Sequence, residues 1–86
     1  MTKKEFEEKI KELNVVKKYY SKNHLKGFEY YVDEEKFAIF GCFSDVDKKY
    51  IVFYKDFERE KSKEIGEFDT EEEAYDVLLE LIQGKK

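Results

Sequence analysis

Between Phe28 and Phe57 this chain carries ten of its fifteen Phe and Tyr residues: Phe28, Tyr30, Tyr31, Phe37, Phe40, Phe43, Tyr50, Phe53, Tyr54 and Phe57. Rings and β-branched side chains suit a half-buried pleated surface, whereas a helical core favours Leu and Ala, so the middle of the chain is constrained to a sheet. The block holds more rings than one buried sheet face needs, which raises the question of a second face that meets a partner. With 86 residues there is room for one domain and a thin core.

Period-two alternation sets in after Gly27. Phe28, Tyr30 and Val32 point one way, Glu29 and Tyr31 the other. Asp33-Glu34-Glu35 reads as an acidic turn. Residues 36–43 are apolar on both faces, as in a central strand. Ser44-Asp45-Val46-Asp47-Lys48 reads as a turn, because Ser and Asp side chains mimic backbone turn bonds. Residues 49–57 form the next strand, with Tyr50, Val52, Tyr54 and Asp56 on one side and Ile51, Phe53 and Phe57 on the other. The Phe and Ile side reads as core and the Tyr side as the open face. Residues 58–63 read as a charged connection and 64–68 as a short last strand.

Helical patterns flank this block. Thr2 and Glu5 form a capping box, and Phe6, Ile10, Leu13, Val16 and Tyr20 recur at intervals of 4, 3, 3 and 4. That spacing predicts a helix from 3 to 13 that continues to 20, with Asn23 in the left-handed stop position; Asn14 before Val15 and Val16 offers an earlier end. At the other terminus Asp69-Thr70 supplies an N-cap, Glu73 completes a box, Ala74, Val77, Leu78, Leu81 and Ile82 make an apolar face, and Gly84 is the stop. The expected fold is α+β with order α-β-β-β-β-α: an antiparallel three- to four-stranded meander sheet with N- and C-terminal helices packed on one face.

The net charge of −4 hides an asymmetry. Residues 1–26 hold eight Lys against four Glu, and residues 67–84 hold seven acids and no base. Such an acidic stretch repels nucleic acid and attracts a basic protein. No apolar run reaches the ~20 residues of a membrane span, and no apolar stretch follows Lys3-Lys4, so neither a membrane segment nor a signal peptide is expected. A single cysteine, Cys42, in an apolar run reads as a small buried hydrophobe. Together these place the chain in the cytoplasm, and its Lys/Glu-rich, Trp-free composition suggests a bacterial source.

Catalytic chemistry is poorly served. Asp45-Val46-Asp47 and Asp56-Phe57-Glu58 lack the ligand number and glycine bend of a calcium loop and have no partner His or nucleophile. His24 stands alone in a connector, and the four glycines are scattered, so no metal, cofactor or enzyme activity is expected. Lys26 to Val32 is similar to the aromatic strand of RNA-recognition domains, but Glu29 occupies a position that should be small and the acidic balance opposes RNA.

The run Tyr50-Ile51-Val52-Phe53-Tyr54-Lys55-Asp56-Phe57-Glu58-Arg59, followed by Gly66-Glu67-Phe68-Asp69-Thr70-Glu71-Glu72-Glu73-Ala74-Tyr75, resembles small bacterial immunity proteins of polymorphic or contact-dependent toxin systems. The resemblance spans residues 28–82 and implies a stoichiometric, non-catalytic inhibitor of one toxin domain. A tyrosine has an apolar ring and a wet hydroxyl, and embedded rings beside acids suit a basic partner. The candidate partner-binding residues are Tyr31, Tyr50, Tyr54 and Asp56 from the sheet, and Asp45, Asp47, Glu71, Glu72 and Asp76 from the acidic edges. The same rings also serve to shield the outer sheet through cross-strand pairs, and the same acids to cap a helix. A phage- or plasmid-encoded inhibitor that mimics nucleic acid, and an RNA-binding sheet, are the rival readings.

Overall fold

The computed structural model describes residues 1–32 and 36–85. The acidic turn expected at Asp33-Glu34-Glu35 lies outside the described residues. Helix α1 (Lys3–Glu12) leads into five strands, β1 (Val16–Lys22), β2 (Leu25–Val32), β3 (Phe37–Ser44), β4 (Lys49–Asp56) and β5 (Lys61–Phe68), and helix α2 (Glu71–Lys85) closes the order. The strands form one antiparallel sheet in the order β1-β2-β3-β4-β5. The α+β class and the meander hold; the sheet has five strands rather than three or four.

The missed strand is β1, and its loss to the helix has a simple cause. Thr2 caps α1 as expected, its Oγ1 accepting from Glu5 N–H at 3.2 Å while Glu5 Oε1 accepts from Thr2 N–H at 3.1 Å. Phe6 and Ile10 are buried, but Asn14 adopts φ 58° and ends the helix just after Leu13. Val16 and Tyr20 are four residues apart, a spacing that puts two side chains on one face of either a helix or a strand. Only Asn14 and the β-branched pair Val15-Val16 separate the two cases. Asn23 does take a positive φ, 55°, but in the two-residue β1–β2 turn and not at a helix end.

The later hairpins share one device. Four-residue loops run from Ser44 to Lys49 and from Asp56 to Lys61. In each, the side chain before the loop accepts a backbone N–H three residues on: Ser44 Oγ from Asp47 at 3.1 Å, Asp56 Oδ1 from Arg59 at 3.2 Å. The fourth loop residue is left-handed in both, Lys48 at φ 57° and Glu60 at φ 51°. This compact turn lets β5 start at Lys61, three residues before the expected Glu64. At the C-terminus Thr70 Oγ1 accepts from Glu73 N–H at 3.3 Å, and α2 runs through Gly84 to Lys85 instead of stopping at the glycine.

Both helices cover one sheet face. The main core joins Phe6 and Ile10 of α1, Ala74, Leu78, Leu79 and Ile82 of α2, and Tyr30, Val32, Ile39 and Val52 of the sheet. Fully burying each large apolar side chain stabilises by roughly 1.5–3 kcal/mol. Tyr50 and Tyr54 lie on this helix-covered side, at its rim, where Tyr50 rests on Phe43 at 5.0 Å and Tyr54 stacks on Phe37 at 5.1 Å. Their expected place on the open face is therefore reversed. The helices need a broad platform, and phenol rings at its margin bury their carbon while the hydroxyl stays near water.

The other face has no helix, yet it holds a second cluster of Ala38, Phe40 and Cys42, with Tyr20, Leu25, Tyr31 and Phe53 packed on it. Here the ranks across the sheet are Lys22–Leu25–Ser44–Lys49, Tyr20–Gly27–Cys42–Ile51–Glu67, Lys18–Glu29–Phe40–Phe53–Glu64 and Val16–Tyr31–Ala38–Lys55–Ser62. The β4–β5 register shifts between Val52 and Phe53, leaving Ile65 as an extra residue of β5, a β-bulge. Tyr20 leans from β1 across the small residues of its rank to meet Phe40 at 5.0 Å and Phe53 at 6.2 Å.

Two glycines permit these approaches. A Cβ on Gly27 would lie 2.0 Å from the Gly41 carbonyl oxygen, and one on Gly41 would lie 2.6 Å from Leu78 Cδ1. The first clash is with backbone and has no side-chain remedy. Gly27→Ala is expected to destabilise the chain by more than about 2 kcal/mol, read as a fall in the urea midpoint. Gly41→Ala meets only the end of a leucine and is expected to cost less; equal midpoints for Gly27→Ala and the parent would refute the packing described.

Candidate binding surfaces

The sequence-predicted residues fall on several parts of the molecule. Tyr31 is on the helix-free face, donating to Glu29 at 2.5 Å and stacking on Phe57 at 6.1 Å. Asp45 and Asp47 occupy the β3–β4 turn. Asp56 sits at the opposite end of β4, held by Arg59 at 2.8 Å. Glu71, Glu72 and Asp76 ride on α2. Of the whole set, the structure brings Tyr50 and Glu71 together, both lining a cleft of about 170 Å³ between the start of α2 and the sheet, with Phe43, Tyr75 and Leu78. Tyr75 donates to Glu71 and stacks on Phe6 at 4.8 Å. Burial, and then the Glu71 carboxylate, push the Tyr75 phenol well above the usual tyrosine range, so it stays a neutral donor.

The charge asymmetry becomes spatial. Residues 16–28 contain Lys17, Lys18, Lys22, Lys26 and His24 and no acid, and form the β1 edge with its turn. Residues 67–84, with seven acids and no base, form the end of β5 and α2. β1 is one edge of the sheet, whereas α2 lies across the helix-covered face over β3 and β4 and reaches β5, so the chain has a basic edge and an acidic pole formed by α2 with the end of β5. On α2 the exposed Glu72, Asp76 and Glu80 recur every four residues, which aligns their carboxylates in a row at about 6 Å steps. Two cations reach this pole from elsewhere: the Met1 ammonium on Asp76 at 2.8 Å and Lys49 on Asp69 at 2.5 Å.

Sequence reasoning missed a third feature, a trough of about 530 Å³ on the helix-free face. Tyr20, Lys22, His24 and Leu25 form one side, Ile51, Phe53 and Lys55 the floor, and Ser62 to Glu67 the far wall, with Asp47 at one end. It depends on β1, and on Tyr20 leaning over a rank that contains Gly27. Helical spacing concealed both. Among the described residues, no group of three His, Cys, Asp or Glu could hold a metal ion, and no helix is long and apolar enough to cross a membrane.

Two outcomes follow from the ionisable groups. Burial, and secondarily the Glu29 charge, push the Cys42 thiol up to about 12. The thiol is 2% exposed, so a disulfide reagent at pH 8 is expected to label it only as fast as the chain opens; immediate labelling of native protein would contradict its burial. The Lys49–Asp69 pair ties the start of β4 to the cap of α2. Lys49 holds the Asp69 carboxyl below its usual range, so the stabilisation is present at neutral pH and is lost as pH falls through that depressed value. Asp69 raises the Lys49 amine in turn, so that side of the pair fails only above the ordinary lysine range. Asp69→Asn is expected to make thermal midpoints fall less steeply between neutral pH and pH 3 than in the parent. Comparison with protein-family models, curated proteins and solved structures found no match to this chain.

Proposed function

We propose that this chain is a non-catalytic binding protein that inhibits a basic partner, in the manner of the immunity proteins its sequence resembles, and that the acidic pole is its recognition surface. The observation that carries the reading is the separation of charge between the β1 edge and α2, with every charged side chain from Glu67 to Gly84 acidic and five of the seven mounted on a capped, well-packed helix. A rigid row of carboxylates presents its field without an ordering cost, which favours rapid, salt-sensitive capture of a cationic domain. Toxin domains that cut nucleic acid must themselves be cationic near their substrate, so such a domain is the partner the charge pattern fits.

The contact set differs from the one expected from sequence alone. Glu72, Glu73, Asp76 and Glu80 carry the charge, and Tyr50 with Glu71 offers a cleft at the start of the helix. Tyr31 lies on the other side of the sheet, and Asp56 is tied to Arg59 at the end of β4 remote from the Asp45–Lys48 turn. A second reading, a nucleic-acid mimic that occludes a DNA- or RNA-binding protein, draws on the Glu72–Asp76–Glu80 row. Competition separates the two: a mimic is displaced by nucleic acid, whereas an inhibitor docking beside an active site is not.

The test is binding to, and inhibition of, a basic toxin domain encoded beside this chain. Glu72→Lys combined with Glu80→Lys is expected to weaken the complex at least about tenfold and to reduce its salt dependence, with unfolding unchanged. Undiminished inhibition by the doubly reversed variant would remove the acidic pole from the mechanism.

A further inference from the structure

The trough on the helix-free face is unused by the acidic-pole reading and independent of it. Its apolar floor is Ile51 and Phe53, flanked by Tyr20 and Leu25. Phe53 is stacked on Phe40 at 4.5 Å, so one side of its ring is already fixed and the ring is preorganised. Charges of both signs stand around this floor. Lys55 follows Phe53 by two residues on the same face, with Ser62 paired beside it. In the other direction Ile51 is paired with Glu67, and Asp47 and Lys22 line the trough beyond. Lys22, Glu64 and Glu67 make no ion pair among the described residues, although their signs would allow it.

Lys55, Phe53 and Ile51 are each two residues apart on β4, about 7 Å, so the order along the trough is a cation at Lys55, a ring at Phe53 and a carboxylate at Glu67, the β5 partner of Ile51. An extended peptide has the same repeat on one of its faces. We propose that the trough receives an extended protein segment of the pattern acid–x–aromatic–x–base. Its carboxylate reaches Lys55, its ring sits on Phe53 beside Tyr20, and its cation reaches Glu67 and Asp47. The mixed signs select against both wholly acidic and wholly basic segments. The carboxylates on the wall likewise select against single-stranded nucleic acid, which would otherwise suit an aromatic floor. A ring bound in a pocket with polar groups around its rim is the usual arrangement of an interface anchor.

The probe is the capped pentapeptide ESFSK titrated into the isotope-labelled full chain and followed by amide chemical shifts. The expected result is a dissociation constant of the order of 1 mM, with shifts centred on Phe53, Lys55, Glu64 and Glu67. ESASK is expected to bind at least about fivefold more weakly, and ESFSE and KSFSK to bind more weakly than ESFSK. In the Lys55→Glu variant, whose change is at a partly exposed position, the preference is expected to move from ESFSK to KSFSK. The proposal is overturned if ESFSK shifts no trough residue, if all three ring-bearing peptides bind alike, if Lys55→Glu leaves the order unchanged, or if an oligouridine octamer binds the trough more tightly than ESFSK. Because none of these readouts involves α2, they stand or fall separately from inhibition of a toxin domain.

Discussion

Strand β3 must be covered on both sides, and two helices on one face can cover only one of them. Ile39 points into the helix layer, while Ala38, Phe40 and Cys42 point away from it and are as deeply buried. The far cover comes from the sheet itself: Tyr20 leans in from β1, Phe53 stacks from β4, and Tyr31 closes over Ala38. That solution needs the sheet to coil, and at Gly27 it leaves no room for a Cβ, which would lie 2.0 Å from the Gly41 carbonyl oxygen. Coiling then brings the side chains of β1 and β5 around the same hollow. The trough follows from how a small chain buries a two-sided central strand.

Most of the architecture was legible because the aromatic block, the turn residues and the caps all favour the same arrangement. The Thr2–Glu5 capping box, the Thr70 cap, the Ser44 turn and the apolar strand at its centre are local statements, each made by a few adjacent residues. What was not legible is nonlocal. Val16 and Tyr20 satisfy helical and extended spacing equally, and the helical reading absorbed a strand that exists because β2 pairs with it. Tyr50 and Tyr54 alternate correctly with Ile51 and Phe53, but alternation defines two faces without saying which one receives the helices. Ile51, 7% exposed, and Phe53 are covered on a side that has no helix, Ile51 between Cys42 and Glu67 and Phe53 by Phe40 and Tyr20.

The surfaces follow the same division. Acid enrichment after Glu67 was visible as composition, and the fold turned it into a pole by laying α2 across the sheet with its acids outward. The basic segment 16–28 gained its meaning only once it became an edge strand. Lys17 lies over Phe28 at 4.1 Å and pairs with Glu7, and Lys18 lies over Tyr31 at 4.8 Å, so part of that basic charge is spent on holding the edge in place.

The bulge at Ile65 bears on the company this molecule keeps with itself. Read at period two, Lys61, Lys63, Ile65, Glu67 and Asp69 are self-complementary about their centre. In a regular strand, a copy turned end for end would match Lys63 to Glu67, Lys61 to Asp69, and isoleucine to isoleucine. Such an edge would invite sheets to join and keep growing. The extra residue breaks the match, because Lys63 now stands opposite Tyr54 on the helix side and Glu67 opposite Ile51 on the other. One inserted residue thus turns a strand that could template its own copies into a terminus, and the five-stranded sheet ends there.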